Sequence, residues 1–174
     1  VAGDDEILLF LRDHGAERIA HPGGSLYDHL RRVAATLAGW GAGEDVRRAG
    51  LCHATYGTDG FATALLDVRE RAALRAPAGE RAERLGYLYG SLDRGVTYPR
   101  LGDPEVLVRD RFTGAEHVPS EVDIRAVVEI TAANELDVVA HNAELAARHG
   151  DALRRLFERC RARLSESAQA AWLG

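Results

Sequence analysis

Along the first third of the chain, apolar residues return every three or four positions, the spacing of a helix with one buried face. Ile7, Leu8, Phe10 and Leu11 mark a helix from Asp4 to His14 that Gly15 is placed to end. "HPGGS" reads as a loop, after which Ser25 can cap a second helix whose inner face is Leu26, His29, Leu30, Val33 and Leu37. Beyond Gly41 to Gly43, "EDVRRAGLCHA" predicts a third helix with Val46, Ala49, Gly50 and His53 along one stripe. A further helical stretch covers about Asp67 to Leu74, and Pro77 then opens a helix carrying Leu85, Leu88, Tyr89 and Leu92 that ends near Gly95.

The period changes at Glu105, where "EVLVRDRFTGAEHV" alternates around Phe112-Thr113-Gly114 and predicts a β-hairpin over 105–118, the one strand signal in the chain. Ser120 with Asp123 forms a capping box for a long helix through Val127, Ile130, Ala133, Leu136 and Val138. Asn134, Asp137 and His141 step along it at three and four residues and share a face. Asp151 to Trp172 is helical with a break at Ser165. The expected fold is one all-α domain over residues 1–174, a bundle of six or seven helices with the hairpin inserted before the long one.

The 174 residues, 46% apolar and 28% charged, can bury a core of their own. A formal charge of −5 with alternating signs leaves no basic face for nucleic acid, so none is expected as a partner. Cys52 and Cys160 are far apart and suggest neither a disulfide framework nor a zinc knuckle, which fits a reducing cytoplasm. No run approaches the roughly 18 apolar residues of a membrane span, and Asp4, Asp5 and Glu6 are unlike a signal peptide's start. No membrane partner is expected.

Two histidines on the apolar faces of separate helices change this picture. Each must find a partner or lose about 1 to 3 kcal/mol, as must the carboxamide of Asn134 on a third helix. His29 and His53 are therefore expected to line one polar pocket with Asn134. Gly57 and Gly60 let the chain turn sharply past His53 and keep His53 and Tyr56 beside a cavity. His14 and His149 read as outer-turn residues.

The order of these residues carries a resemblance. "GSLYDHLRRVAATLAGWGAGEDVRRAGLCHATYG" resembles the opening of an HD-superfamily domain, in which one helix carries a His and the next ends in a His-Asp pair, all binding a divalent metal. "AANELDVV" resembles that superfamily's last metal-binding helix. "GERAERLGYLYGSLDR" is similar to the helix after the metal pair in the stringent-response alarmone hydrolases, the nearest layout. The resemblance spans about Gly23 to Val139. It implies an HD-like bundle with His29 and His53 at the two histidine positions. Ala54 then stands for the Asp of the pair and Asn134 for the final Asp, while Gly57 and Thr58 replace an acidic pair. Both anionic ligands are missing, so the ordinary metal site is degenerate.

The leading expectation is a small-molecule enzyme on this scaffold without metal or other cofactor, using His29 and His53 as proton-transfer groups and Tyr56 as a third catalytic residue. His21, Thr58, Asp59, Asn134 and Asp137 would bind substrate, and hydrolysis, elimination and isomerisation all remain open. The alternative keeps a divalent Zn, Mn or Fe on His21, His29, His53 and either Asp59 or Asp137, for phosphohydrolase or oxygenase chemistry. A third reading is an inactive ligand-binding module. The hairpin is a candidate lid or homodimer contact.

Overall fold

The computed structural model describes residues 2–174, and the chain is helical throughout, with two short hairpins. Helix α1 (Ala2–Asp13) is followed by β1 (Ala20–His21) and β2 (Gly24–Ser25), then α2 (Leu26–Gly39) and α3 (Glu44–Cys52). Next come α4 (Arg71–Ala78), α5 (Glu80–Ser91) and α6 (Arg94–Thr97), then β3 (Val108–Arg109), paired antiparallel with β4 (Glu116–His117). Helices α7 (Glu121–His141), α8 (Ala143–Arg159) and α9 (Glu166–Leu173) complete the chain. The nine α-helices among the described residues exceed the six or seven expected because α6 is a separate single turn and the C-terminal tail divides into α8 and α9.

Caps set the register of the helices that matter for the site. Ser25 Oγ accepts from the Asp28 backbone N–H at 3.1 Å while the Asp28 carboxylate accepts from the Ser25 N–H at 3.2 Å, a reciprocal box that starts α2. At α7 only half of the expected box forms. Ser120 caps the Asp123 N–H, but the Asp123 carboxylate turns to Arg81. Asn142 then breaks the chain between α7 and α8, its side chain accepting from Leu145 N–H at 3.0 Å.

Helix α7 is buried on every side between Ala126 and Glu135, the signature of a helix surrounded by others. Helices α2, α3, α5, α8 and α9 all pack on it. Trp172 on α9 donates its indole N–H to the Ala132 carbonyl at 3.0 Å and tilts against Phe157. A second apolar cluster lies between α1, α2, α3 and α4, with Ile7, Leu11, Leu26, Leu30 and Leu74 fully buried.

Three local expectations are corrected. "HPGGS" is a hairpin rather than a plain loop, since Ala20 pairs with Ser25 and His21 with Gly24 across Pro22-Gly23. Proline before a glycine at φ 79° is the chemistry of a type II turn, which short strand patterns do not reveal. Pro77 lies in the last turn of α4 and does not open a helix; the helix with Leu85 begins at Glu80. That helix stops at Ser91 instead of Gly95, because Asp93 caps the new turn α6 through the Val96 N–H at 3.1 Å. The predicted 105–118 hairpin is present, with only two residues paired in each strand.

Candidate functional site: a histidine and carboxamide cluster at the head of a cavity

His29 projects from the first turn of α2, His53 stands at the C-cap of α3, and Asn134 lies in the second half of α7. All three side chains are buried. Nε2 of His29 is 3.3 Å from Nε2 of His53 and 3.1 Å from Oδ1 of Asn134, and Nε2 of His53 is 3.0 Å from the same oxygen. The expected convergence of these residues on one site is what the structure shows.

The other nitrogen of each ring is committed. Nδ1 of His53 donates to the Gly50 carbonyl at 2.8 Å, and Nδ1 of His29 donates to the Asp137 carboxylate at 2.7 Å. A neutral imidazole has one N–H, so both Nε2 atoms present lone pairs to the cluster. Burial, with His29 close by, lowers the His53 pKa to about 3, which keeps that ring neutral. The Asn134 amide nitrogen donates to Glu135 Oε1 at 3.2 Å, and the same oxygen accepts from Arg94 at 3.1 Å. The carbonyl end of Asn134 is therefore the end that faces the histidines. With both rings neutral, three acceptors meet there with no hydrogen between them.

Behind the cluster, Arg32 grips Asp137 with Nε at 2.6 Å and Nη2 at 2.9 Å and also donates to the carbonyls of Pro22 and Gly23. Burial alone would raise the Asp137 carboxyl, but hydrogen bonds from His29 and Arg32 hold it well below the usual carboxylate range. One ion pair thus ties the first hairpin to α7 and orients His29 as well.

Asp137, expected to bind substrate, supports His29 from behind and does not line the cavity. His21 stacks on His29 with ring centroids 3.9 Å apart, lines the cavity, and has a buried Nδ1 with no partner. Its pKa falls to about 4, from burial first and then His29. Thr58 lines the cavity, whereas Asp59 caps the backbone N–H of Arg94 at 2.8 Å and does not join the histidines. Tyr56 lies outside the cavity wall. Its hydroxyl donates to the buried Glu83 at 2.8 Å, and burial and that carboxylate push its pKa far up, so it belongs to a structural ion cluster with Arg71 and Arg75. His149, expected on an outer turn, borders the cavity from α8.

Gly57, at φ 69°, makes the predicted turn past His53; a Cβ there would also come within 2.9 Å of the Ala62 carbonyl oxygen. Gly60 serves differently, since its backbone is ordinary and its missing side chain leaves room for Arg94. Sequence reasoning missed Arg32, Arg94 and Glu135. Arg32 is one turn beyond His29, and Glu135 adjoins Asn134, but nothing in their spacing shows which partners they find.

The cluster opens on a cavity of about 590 Å³ between α7, α8, α6 and the first hairpin. Among the described residues, no group of three or more His, Cys, Asp or Glu side chains could hold a metal ion. The cluster here has two histidines and a carboxamide, and the alternative set with Asp59 or Asp137 as ligand does not converge. Still, donor atoms 3.0, 3.1 and 3.3 Å apart match the edges of a metal polyhedron, about 3.0 to 3.4 Å for bonds of about 2.1 Å. Each histidine's second nitrogen also donates to a carboxylate or a carbonyl, the usual support for a metal-bound imidazole. The three donor atoms have the spacing that ligands to a transition ion would have, with no anionic donor among them.

The fold and this site define an all-α domain with an enclosed His-His-Asn centre. A family model described as a domain of unknown function (DUF6817) matches residues 10–94, a little under half of the chain. The matched stretch holds His21, His29, His53 and Arg94 and stops before α7. No curated protein and no solved structure matches the chain. No helix among the described residues is long and apolar enough to cross a membrane.

Proposed function

We propose that this chain is a small-molecule enzyme on an HD-like helical scaffold whose reacting centre is His29, His53 and Asn134, holding a divalent transition ion. The observation that carries the reading is the meeting of three lone-pair atoms within 3.3 Å of one another. Leaving them bare would cost about 1 to 3 kcal/mol for each buried acceptor, so a positive charge belongs among them. The order His29, His53, Asn134 along α2, α3 and α7 supports the resemblance to the HD superfamily.

A bound ion of this kind would supply Lewis-acid polarisation of a substrate oxygen, suited to hydrolysis or oxygenation. Asp137 and the Gly50 carbonyl hold both imidazoles in the tautomer that offers Nε2. Glu135, fixed by Arg94, holds the carboxamide so that its oxygen faces inward. His21 covers His29 from the hairpin side, and its neutral ring can accept or donate one hydrogen bond at the cavity mouth.

A second reading is favoured by the 2.7 Å contact between His29 and Asp137. An extra proton on His29, balanced by that carboxylate, would satisfy the same three acceptors and make His29 a general acid beside neutral His53. Elemental analysis of protein purified without chelator separates the two. The metal reading expects about one equivalent of Zn, Mn or Fe per chain, lost in His53→Ala and in Asn134→Leu. Failure to retain any of these ions after loading and desalting would overturn it and leave acid-base chemistry.

A further inference from the structure

The wall beyond the cluster points to what the cavity takes. From the reacting end outward, the surface is built by Val138 and Val139 of α7 and by Leu145, Ala152, Leu153 and Leu156 of α8. Phe61 and Pro99 also line it. This apolar surface is larger than the polar one, and the volume of about 590 Å³ falls in the range of small-molecule sites.

Charge narrows the choice. Arg94 lines the cavity near the cluster, but its guanidinium is already paired with Glu135 at 3.1 Å and donates to the Tyr89 hydroxyl at 3.2 Å. Glu135 brings a negative charge to the same wall. Arg159 is the remaining cation of the wall, exposed at the α8 end. Apart from the ion the cluster would hold, a nucleotide's several phosphate charges would meet one paired arginine, a carboxylate and the single exposed arginine at the α8 end, and its sugar would face an apolar wall. A single uncharged oxygen head meets imidazole, carboxamide and the ion they would hold.

We infer that the cavity binds an apolar molecule, alkyl or aryl, carrying one compact uncharged oxygen head such as an amide or ester carbonyl, with the head at His29, His53 and Asn134 and the body along α8. This deepens the proposed function by naming a substrate class, and it rests on that reading for the placement of the head.

The test is isothermal titration calorimetry of the full chain with primary n-alkyl amides from butanamide to decanamide, with adenosine 5′-diphosphate and inorganic phosphate beside them. Each titration is run on protein as isolated and after chelation. The expected result is binding that tightens about threefold to fourfold per added methylene until the cavity is filled. Ala152→Trp, at an exposed position on the cavity wall, should abolish that binding while the melting temperature stays unchanged.

The apolar wall does not need the ion, so chain-length dependence that survives chelation upholds the inference even if the metal reading fails. Tighter binding of the diphosphate or of phosphate than of every amide overturns it. So does affinity that ignores chain length, or an Ala152→Trp protein that binds the amides as the parent does. A dimer by light scattering that binds none of the amides would assign the cavity to a second copy and likewise overturn it.

Discussion

Nε2 of His53 lies 3.0 Å from Oδ1 of Asn134, an acceptor facing an acceptor in the buried centre of the molecule. The contact persists because each residue is held from its far side: His53 by the Gly50 carbonyl, Asn134 by Glu135. On the proposed function a cation at their focus would offset this contact, and the variants below test that dependence.

Asn134→Asp should make the centre more dependent on a bound ion. In the metal-free protein a carboxylate oxygen would replace the amide that donates to Glu135, placing two negative oxygens about 3.2 Å apart and lowering the melting temperature. With zinc bound, the anionic donor should raise affinity by about tenfold or more. Competition with a chromophoric chelator and paired melting curves measure both effects. Unchanged affinity would remove Asn134 from the donor set.

Asp137→Asn tests support from behind His29. The carboxylate that fixes this imidazole and pairs with Arg32 is lost, and metal affinity should fall about 10-fold to 100-fold. Calorimetric titration with zinc reads the change directly. Parent-like affinity would mean that His29 needs no carboxylate to orient it.

Tyr56→Phe should leave metal binding untouched. Its hydroxyl serves Glu83, which keeps Arg71 and Arg75 as partners, so the expected loss is about 1 to 2 kcal/mol of stability by urea unfolding. A large loss of ion or ligand binding without a matching loss of stability would return Tyr56 to the site.

Glu83 gives the fold an acid limb. Burial alone would raise its pKa, but hydrogen bonds from Arg71, Tyr56 and Arg75 lower it below the ordinary value of 4.5. The unfolded chain thus binds the proton more readily than the folded one. The stabilisation from Glu83 is complete above about pH 4.5 and is lost as pH falls through its lowered folded-state value. Glu83→Gln should cost about 2 kcal/mol at pH 7, roughly 4 to 8 °C in melting temperature. The variant's melting temperature should also fall less steeply below pH 4.5, and an acid limb as steep as the parent's would contradict this role.

His14→Ala is the control for His53→Ala. His14 Nδ1 donates to the Phe10 carbonyl at 2.8 Å and its ring stacks on Phe10, away from the cluster. His53→Ala should abolish metal retention while His14→Ala retains it. Equal retention by the two proteins would show that His53 is only the end of a helix. His149 is unsuitable as a control because it borders the cavity.

Local pattern determined the helices, because burial of one face leaves a period of 3.6 that apolar residues must follow. The inner faces of α2 and α3 could be read directly, and with them the inward direction of His29 and His53; the steps of three and four also placed Asn134 and Asp137 on one side of α7. Tertiary structure decided what those side chains do. Spacing on α7 treats Asn134 and Asp137 alike, yet packing against α2 and α3 puts the first at the focus and the second behind His29. Tyr56 shows the converse: three residues after His53, it turns to Glu83 because a buried carboxylate on α5 needs donors. The partners of Arg32, Arg94 and Glu135 lie up to 105 residues away in the chain, so no local periodicity could announce them. The cavity is likewise a property of the assembled helices, since α8 becomes a wall only after Asn142 turns the chain back along α7.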